Sequence, residues 1–256
     1  MTRNIFFRKC ILAVLPLIVF FTACHSEKKQ AKIETGGVIA DETQEMSEKD
    51  FFFRKMLFPE LRKQNYAVAQ KMLEEEIRQY PEYKKEPLYF SAQSIIDFQN
   101  GKYEEARRNA SRVIEIMEQR FAPKKPYQMN FPDEKSRNSV ASHYLYRYQA
   151  LLKLGRYESA LADVETALKI SEKPRVTLIK ASLLILLKRY EDAVAAMNKA
   201  YQLDNSVLAK EVDRVGMDAC TILYEQGYKK VKPCQPYFIR IDEKIREAER
   251  NEAEEN

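Results

Sequence analysis

The stretch that decides the fold is Tyr144-Leu-Tyr-Arg-Tyr-Gln-Ala-Leu-Leu-Lys-Leu-Gly-Arg-Tyr-Glu-Ser-Ala-Leu-Ala-Asp-Val-Glu-Thr-Ala-Leu-Lys-Ile170. Apolar residues recur in it at helical spacing on both sides of Gly155, so the pattern predicts two helices joined by a short turn. A second copy runs from Leu178 to Leu203 in the same register, and Tyr190 follows Tyr157 by 33 residues. That length suits two helices of about 13 residues and two short turns.

A tyrosine followed three residues later by an alanine marks four segments: Tyr66-Ala-Val-Ala69, Tyr103-Glu-Glu-Ala106, Tyr157-Glu-Ser-Ala160 and Tyr190-Glu-Asp-Ala193. The small alanines allow the two helices of a hairpin to approach closely, and we expect the tyrosines to fill the corner where the second helix starts. Gly101 and Gly155 lie two residues before their tyrosines, where the turn favours a residue that tolerates positive φ. The sequence therefore predicts an all-α chain of helical hairpins.

This pattern resembles the tetratricopeptide repeat, a helix-turn-helix unit that stacks into a solenoid with a concave binding face. The resemblance covers residues 50–205 and implies about four units, with C-terminal helices after them. Two units depart from the pattern, because Gln64 and Lys188 stand where the turn glycine is expected and Pro59 lies inside the first helix. A helical bundle without repeat stacking is the alternative.

The spacing between Tyr103 and Tyr157 is 54 positions, about 20 more than one repeat needs. The surplus falls around residues 120–138, which contain three prolines and several aromatic residues. We expect an irregular connection there. It either contributes to function or serves as a packed spacer.

The charge balance gives little reason to expect nucleic acid as a partner. The chain has 43 basic and 38 acidic residues, a net charge of +5, and three of the basic residues lie in an N-terminal segment predicted to be removed. The remaining 40 basic residues nearly match the 38 acidic ones. Nucleic-acid binders usually carry a strong basic excess or stripe.

The first residues are typical of an export signal. Arg3, Arg8 and Lys9 precede an apolar run of twelve residues, 10–21, which is too short for a membrane span of about 20. Phe21-Thr22-Ala23-Cys24 follows and resembles the lipobox of bacterial lipoproteins, with Phe21 where leucine is usual. The resemblance implies cleavage after Ala23 and acylation of Cys24, whereas an ordinary signal peptide cut nearby would release a soluble protein.

The segment after Cys24 is polar, carries Gly36-Gly37 and lacks aromatic residues up to residue 46. It is interpreted as a flexible tether with a reach of roughly 25 Å. His25 stands where an aspartate would imply inner-membrane retention in enterobacterial sorting, so an outer-membrane address facing the periplasm is favoured. The predicted organisation is a signal peptide at 1–23, lipidated Cys24 and tether at 24–46, repeats at 47–205, and C-terminal capping helices with a charged tail at 206–256.

Catalytic, metal and cofactor sites are not expected. The predicted mature chain has His25 in the tether and His143 in the body, too few histidines for a metal cluster or a catalytic triad. His143 is interpreted as a packed helix residue. The only added group expected is the covalent lipid on Cys24.

The two cysteines of the body, Cys220 and Cys234, are predicted to form a disulfide, because exported proteins meet an oxidising compartment. Such a bond would join the helix at 207–226 to the segment before the last helix. Two buried free thiols are the alternative.

The resemblance implies that the first helix of each unit lines a partner-binding groove. It identifies seven groove candidates: Phe51, Arg54, Phe58, Arg62, Gln149, Lys153 and Arg175. Phe51 to Phe53 fit equally well as the start of the core. The Lys and Asn constellation with which some members of the family hold C-terminal carboxylates is not found.

The function predicted from these features is that of an adaptor in the bacterial cell envelope. The chain is expected to be membrane-anchored through its lipid and to bind an envelope protein or peptide without catalysing a reaction. It is similar in plan to tetratricopeptide lipoproteins that assist envelope assembly. The alternative is an immunity lipoprotein that neutralises one toxin.

Overall fold

The computed structural model describes residues 46–121, 131–205 and 217–254. Helices and their connecting turns make up these ranges, which contain no strand, so the all-α prediction is confirmed. The described residues belong to one compact unit. The predicted signal peptide, Cys24 and the tether up to residue 45 lie outside the described residues.

A first helical run opens the fold and consists of α1 (Glu48–Phe51), a π-helical segment (Phe52–Leu57) and α2 (Phe58–Arg62). The helices that follow are α3 (Tyr66–Gln79), α4 (Pro87–Gln99), α5 (Tyr103–Phe121), α6 (Glu134–Lys153), α7 (Tyr157–Ile170), α8 (Pro174–Leu186), α9 (Tyr190–Leu203), α10 (Met217–Glu225) and α11 (Gln235–Glu254). Short 3₁₀ turns, Pro81–Lys85 and Lys232–Cys234, precede α4 and α11.

Successive helices pack as hairpins, and the hairpins stack on one another. Helix α4 packs on α5, α6 on α7 and α8 on α9, while α5 contacts α6 and α7 contacts α8 between hairpins. First helices also contact each other, α2 with α4, α4 with α6 and α8 with α10. The first helices therefore lie in one layer, as the repeat prediction requires.

The turn inside each hairpin has the same backbone geometry in all four predicted units. A residue with positive φ ends the first helix, at Gln64 (66°), Gly101 (75°), Gly155 (71°) and Lys188 (58°). The next N–H group reaches back to a carbonyl five residues earlier, as from Arg156 to Leu151 at 2.9 Å and from Arg189 to Leu184 at 2.8 Å. These bonds satisfy carbonyls that the helix end would leave unpaired. The two units without a turn glycine therefore keep the turn.

The alanines of the second helices are at the centre of the packing. Ala69, Ala106, Ala160 and Ala193 are at most 1% exposed, and the four tyrosines that precede them are partly buried. A larger side chain at these positions would push the two helices of a hairpin apart. The predicted close approach is thus confirmed.

The π-helical segment of the first run accommodates Pro59. Proline lacks an N–H, and its ring crowds the carbonyl of the residue four positions earlier. That residue is Lys55, which lies inside the wider π turn. A π turn adds a residue to the helix, which rotates the preceding side chains by about 100° relative to a regular α-helix.

The connection around residues 120–138 is shorter than the sequence suggested. Helix α5 continues to Phe121 and α6 already begins at Glu134. The side chain of Asp133 caps α6 by accepting a hydrogen bond from the Ser136 N–H at 2.6 Å. Much of the surplus therefore lengthens two helices. Residues 122–130 lie outside the described residues.

A fifth hairpin, α10 and α11, ends the described chain. Gly227 has a φ of 85°, and the Tyr228 N–H bonds to the Leu223 carbonyl at 2.9 Å, which repeats the turn of the earlier hairpins. A disulfide joins Cys220 on α10 to Cys234 before α11, with both residues fully buried and their Cα atoms 5.5 Å apart. The bond ties the two elements of the hairpin together.

None of the described helices is both long and apolar enough to cross a bilayer.

Replacing Lys188 with glycine should stabilise the protein by about 1 kcal/mol, because glycine adopts positive φ without a Cβ penalty. Gly155→Ala should destabilise it by about the same amount. A Cβ at Gly155 would meet nothing within 4 Å, so that loss comes from the backbone alone. Urea unfolding measures both changes. Lys188→Ala is the control and should be nearly neutral; a loss of stability in Lys188→Gly would contradict the turn geometry.

Reducing the disulfide should lower the free energy of unfolding by about 3 kcal/mol, since it closes a loop of about 15 residues. Urea unfolding of the full-length protein with and without reductant measures the change. Thiol titration of denatured, unreduced Cys24→Ala protein isolates the pair. A result of one free thiol, from Cys10 in the uncleaved chain, fits the disulfide, and three free thiols would contradict it.

Candidate functional site

One face of α6 forms the centre of the candidate groove. Tyr146, Gln149 and Lys153 are spaced by three and four residues, so they share a side of this helix. Burial raises the pKa of Tyr146, and the positive charge of Arg62 partly offsets the rise. Arg62 at the end of α2 therefore lies near enough to Tyr146 of the third unit for its charge to act on the phenol.

Arg175 belongs to the same region of the first-helix layer. Burial raises the pKa of Tyr148 to about 12, and the charge of Arg175 at the start of α8 partly offsets this effect. Arg175 and Gln149 are half-buried. The structure thus brings four of the seven groove candidates onto or beside α6: Arg62, Gln149, Lys153 and Arg175.

The candidate groove carries positive charge that the described part of the protein leaves available. Arg62 and Lys153 are exposed, and neither forms an ion pair with another described residue. Cations exposed beside a tyrosine and an amide can bind carboxylates and carbonyl oxygens. We name the surface formed by Arg62, Tyr146, Gln149 and Lys153 the basic face.

The other three groove candidates lie elsewhere. Phe51 is 51% exposed and lines a cavity with residues of α3. Arg54 pairs with Asp50 at 3.1 Å, and Phe58 packs against the N-terminal core. The π-helical segment lies between Phe51 and Phe58, so regular helical spacing does not put these two residues on one side of the first run.

An ion pair that was not predicted from the sequence links α6 to α7. Arg147 on α6 donates to both carboxylate oxygens of Asp163 on α7, at 2.8 and 2.6 Å, and to Ser111 Oγ on α5 at 3.2 Å. The hydroxyl of Tyr144 donates to Glu118 on α5. These contacts join three helices, but no spacing in the sequence indicates which residues pair.

His143 lies in the same helix, one turn before Tyr146. It is 7% exposed, its ring centroid is 5.9 Å from that of Tyr146, and its Nδ1 atom has no hydrogen-bond partner. Burial lowers its pKa to about 4. The ring is therefore neutral at physiological pH and packs as the sequence suggested. Across the described ranges, no cluster of three or more His, Cys, Asp or Glu residues could hold a metal ion.

Comparison with known proteins agrees with the repeat geometry. Residues 148–207, from α6 to just past α9, match the family model of the tetratricopeptide repeat. No curated protein matches the chain. Repeats of this kind stack into arrays whose extended surface binds other proteins, and they are generally non-catalytic.

Acid should destabilise the protein through His143. Its pKa is about 4 when folded and about 6.5 when unfolded, so only the unfolded state gains a proton as the pH falls between these values. Between pH 7 and pH 5 the loss should reach about 2 kcal/mol. Urea unfolding of wild-type protein and His143→Leu at both pH values measures it. The variant should lack this part of the loss, and equal pH dependence of the two proteins would contradict the account.

Proposed function

We propose that the chain is a lipid-anchored adaptor of the bacterial cell envelope, because residues 148–207 match the tetratricopeptide repeat and such repeats act in protein–protein interaction. Its partners bind in the groove of the first helices. The binding surface is inferred from the basic face, and the anchor is inferred from the N-terminal sequence.

The basic face is the proposed binding surface. Its cations, Arg62 and Lys153, are exposed, and Tyr146 and Gln149 are half-buried. Half-buried polar and aromatic groups are accessible to a partner in the folded protein. The two cations favour acidic side chains of the partner over basic ones. The partner segment is therefore proposed to be acidic and to bind along α6.

The proposed lipid anchor is inferred from the N-terminal sequence. Basic residues, a short apolar run and Phe21-Thr22-Ala23-Cys24 together favour export and acylation of Cys24. About 22 polar residues then separate the lipid from the helical body, which gives a reach of roughly 25 Å. We propose that this arrangement holds the groove clear of the outer membrane, on its periplasmic side.

An immunity lipoprotein remains the second candidate, because a basic groove could match one acidic toxin. The number of partners separates the two functions. An adaptor would collect several envelope proteins, whereas an immunity protein would hold one partner tightly and in stoichiometric amount.

Affinity capture from crosslinked native membranes tests the proposal, with the full-length protein carrying a C-terminal tag. Several envelope proteins should be recovered, and their amounts should fall in Cys24→Ala. The double variant Arg62→Glu with Lys153→Glu should reduce recovery about tenfold, since it reverses the charge of the basic face. Quantitative mass spectrometry measures each loss.

A second double variant controls for net charge. Lys84→Glu with Lys85→Glu makes the same change in charge on the exposed turn before α4 and should leave recovery unchanged. Equal losses in the two double variants would remove the basic face as the binding surface. One stoichiometric partner, retained without the anchor, would favour the immunity function instead.

A further inference from the structure

The first hairpin ends the array with an exposed apolar surface. Met56 of the π-helical segment is 45% exposed, Phe51 51% and Val68 of α3 51%, while Met72, one turn after Val68, is half-buried. Phe51, Met56 and Met72 line a cavity of about 470 Å³ that also includes Glu48 and Glu76. We name this surface the end face. Outer faces of terminal repeats are normally polar, so this surface is unusual.

The equivalent surface inside the array is covered by a helix. Counted from their tyrosines, Met56 and Met72 hold the positions that Arg147 and Asp163 hold in the third unit. There, Arg147 bonds to Asp163 and also to Ser111 on α5, the second helix of the preceding unit. The end face thus has the shape of a surface on which another helix packs.

The end face also carries negative charge that nothing in the described protein neutralises. Glu48 and Glu76 form no ion pair within the described ranges. Burial raises the pKa of Glu76, and the nearby charge of Glu48 raises it further. Two carboxylates that repel each other beside an apolar surface are complementary to a cation.

We infer that the end face binds an amphipathic α-helix of a partner protein, which takes the place of the second helix of a preceding unit. The helix lays apolar residues on Met56, Val68 and Met72 and places a lysine or arginine beside Glu48 and Glu76. A symmetric contact between two copies of the end face would bring the same carboxylates together, which disfavours it. This surface is separate from the basic face.

Two synthetic 18-residue helical peptides provide the probes. Both carry a leucine stripe at helical spacing, flanked by lysines in one and by glutamates in the other. Fluorescence anisotropy with full-length protein in detergent should show at least tenfold tighter binding of the lysine peptide. The chain as a whole has an excess of basic residues, so non-specific binding to the rest of its surface would favour the glutamate peptide. A preference for the lysine peptide is therefore diagnostic of the end face.

Variants assign the binding to the end face. Met56→Glu with Val68→Glu should weaken the lysine peptide at least tenfold, whereas Ile239→Glu, at an equally exposed position on α11, should leave it unchanged. Glu48→Gln with Glu76→Gln should bring the two peptides within about twofold of each other. Circular dichroism shows whether each variant stays folded.

Three results would overturn the inference. The first is no binding of either peptide, or equal binding of both. The second is a dimer in analytical ultracentrifugation that Met56→Glu with Val68→Glu dissociates, which would make a second copy the occupant. The third is at least tenfold tighter peptide binding after residues 25–45 are deleted, which would make this segment of the chain the occupant.

Discussion

The left-handed turn between the two helices of each hairpin is the constraint on which the structure depends. One residue with positive φ ends the first helix, and the N–H group that follows bonds back to the carbonyl five residues earlier. This closure reverses the chain within a few residues, so that the second helix starts at the tyrosine in each of the four repeat units. Because the reversal is the same at Gln64 and Lys188 as at Gly101 and Gly155, all four repeat hairpins present their alanine to the partner helix.

Hairpins with the same turn stack in the same order, and this separates the surfaces of the protein. The first helices form a layer in which Arg62 of the first unit comes close to Tyr146 of the third. The pair formed by Arg147 and Asp163 in the third unit reaches the preceding unit through the bond from Arg147 to Ser111 on α5. The desolvation of such a pair offsets much of its Coulombic attraction, so the pair adds little net stability. At the open end of the array the same positions hold Met56 and Met72, which gives the end face its apolar character.

The local sequence pattern was enough to predict the hairpins, because the hairpins depend on contacts between residues that are close in the sequence. The Tyr and Ala spacing, Gly101, Gly155 and the 33-residue period all describe contacts within one unit or between adjacent units. Gln64 and Lys188 could be aligned with the glycines, although their own propensities do not favour positive φ. The fifth hairpin was not aligned with the repeats, because Tyr228 directly follows Gly227 instead of standing two residues later.

The features that the sequence could not predict depend on geometry across helices. Pro59 indicated that the first helix is irregular. The π turn that accommodates this proline, and the resulting rotation of Phe51, are seen only in the backbone. Arg147 stands between two tyrosines with nothing to indicate Asp163 as its partner. The loop around 120–138 was predicted too long. The prolines of this segment indicated irregular structure, but Asp133 caps a helix that already begins at Glu134. The groove candidates on α6 kept a shared face because that helix is regular.

Hydrogen–deuterium exchange of the full-length protein, with and without a partner recovered by capture, shows whether the groove of the first helices binds protein partners. Binding in the groove should slow exchange in α6 and α8 and leave α7 and α9 unchanged. Protection confined to α7 and α9, or no protection in any repeat, would contradict it.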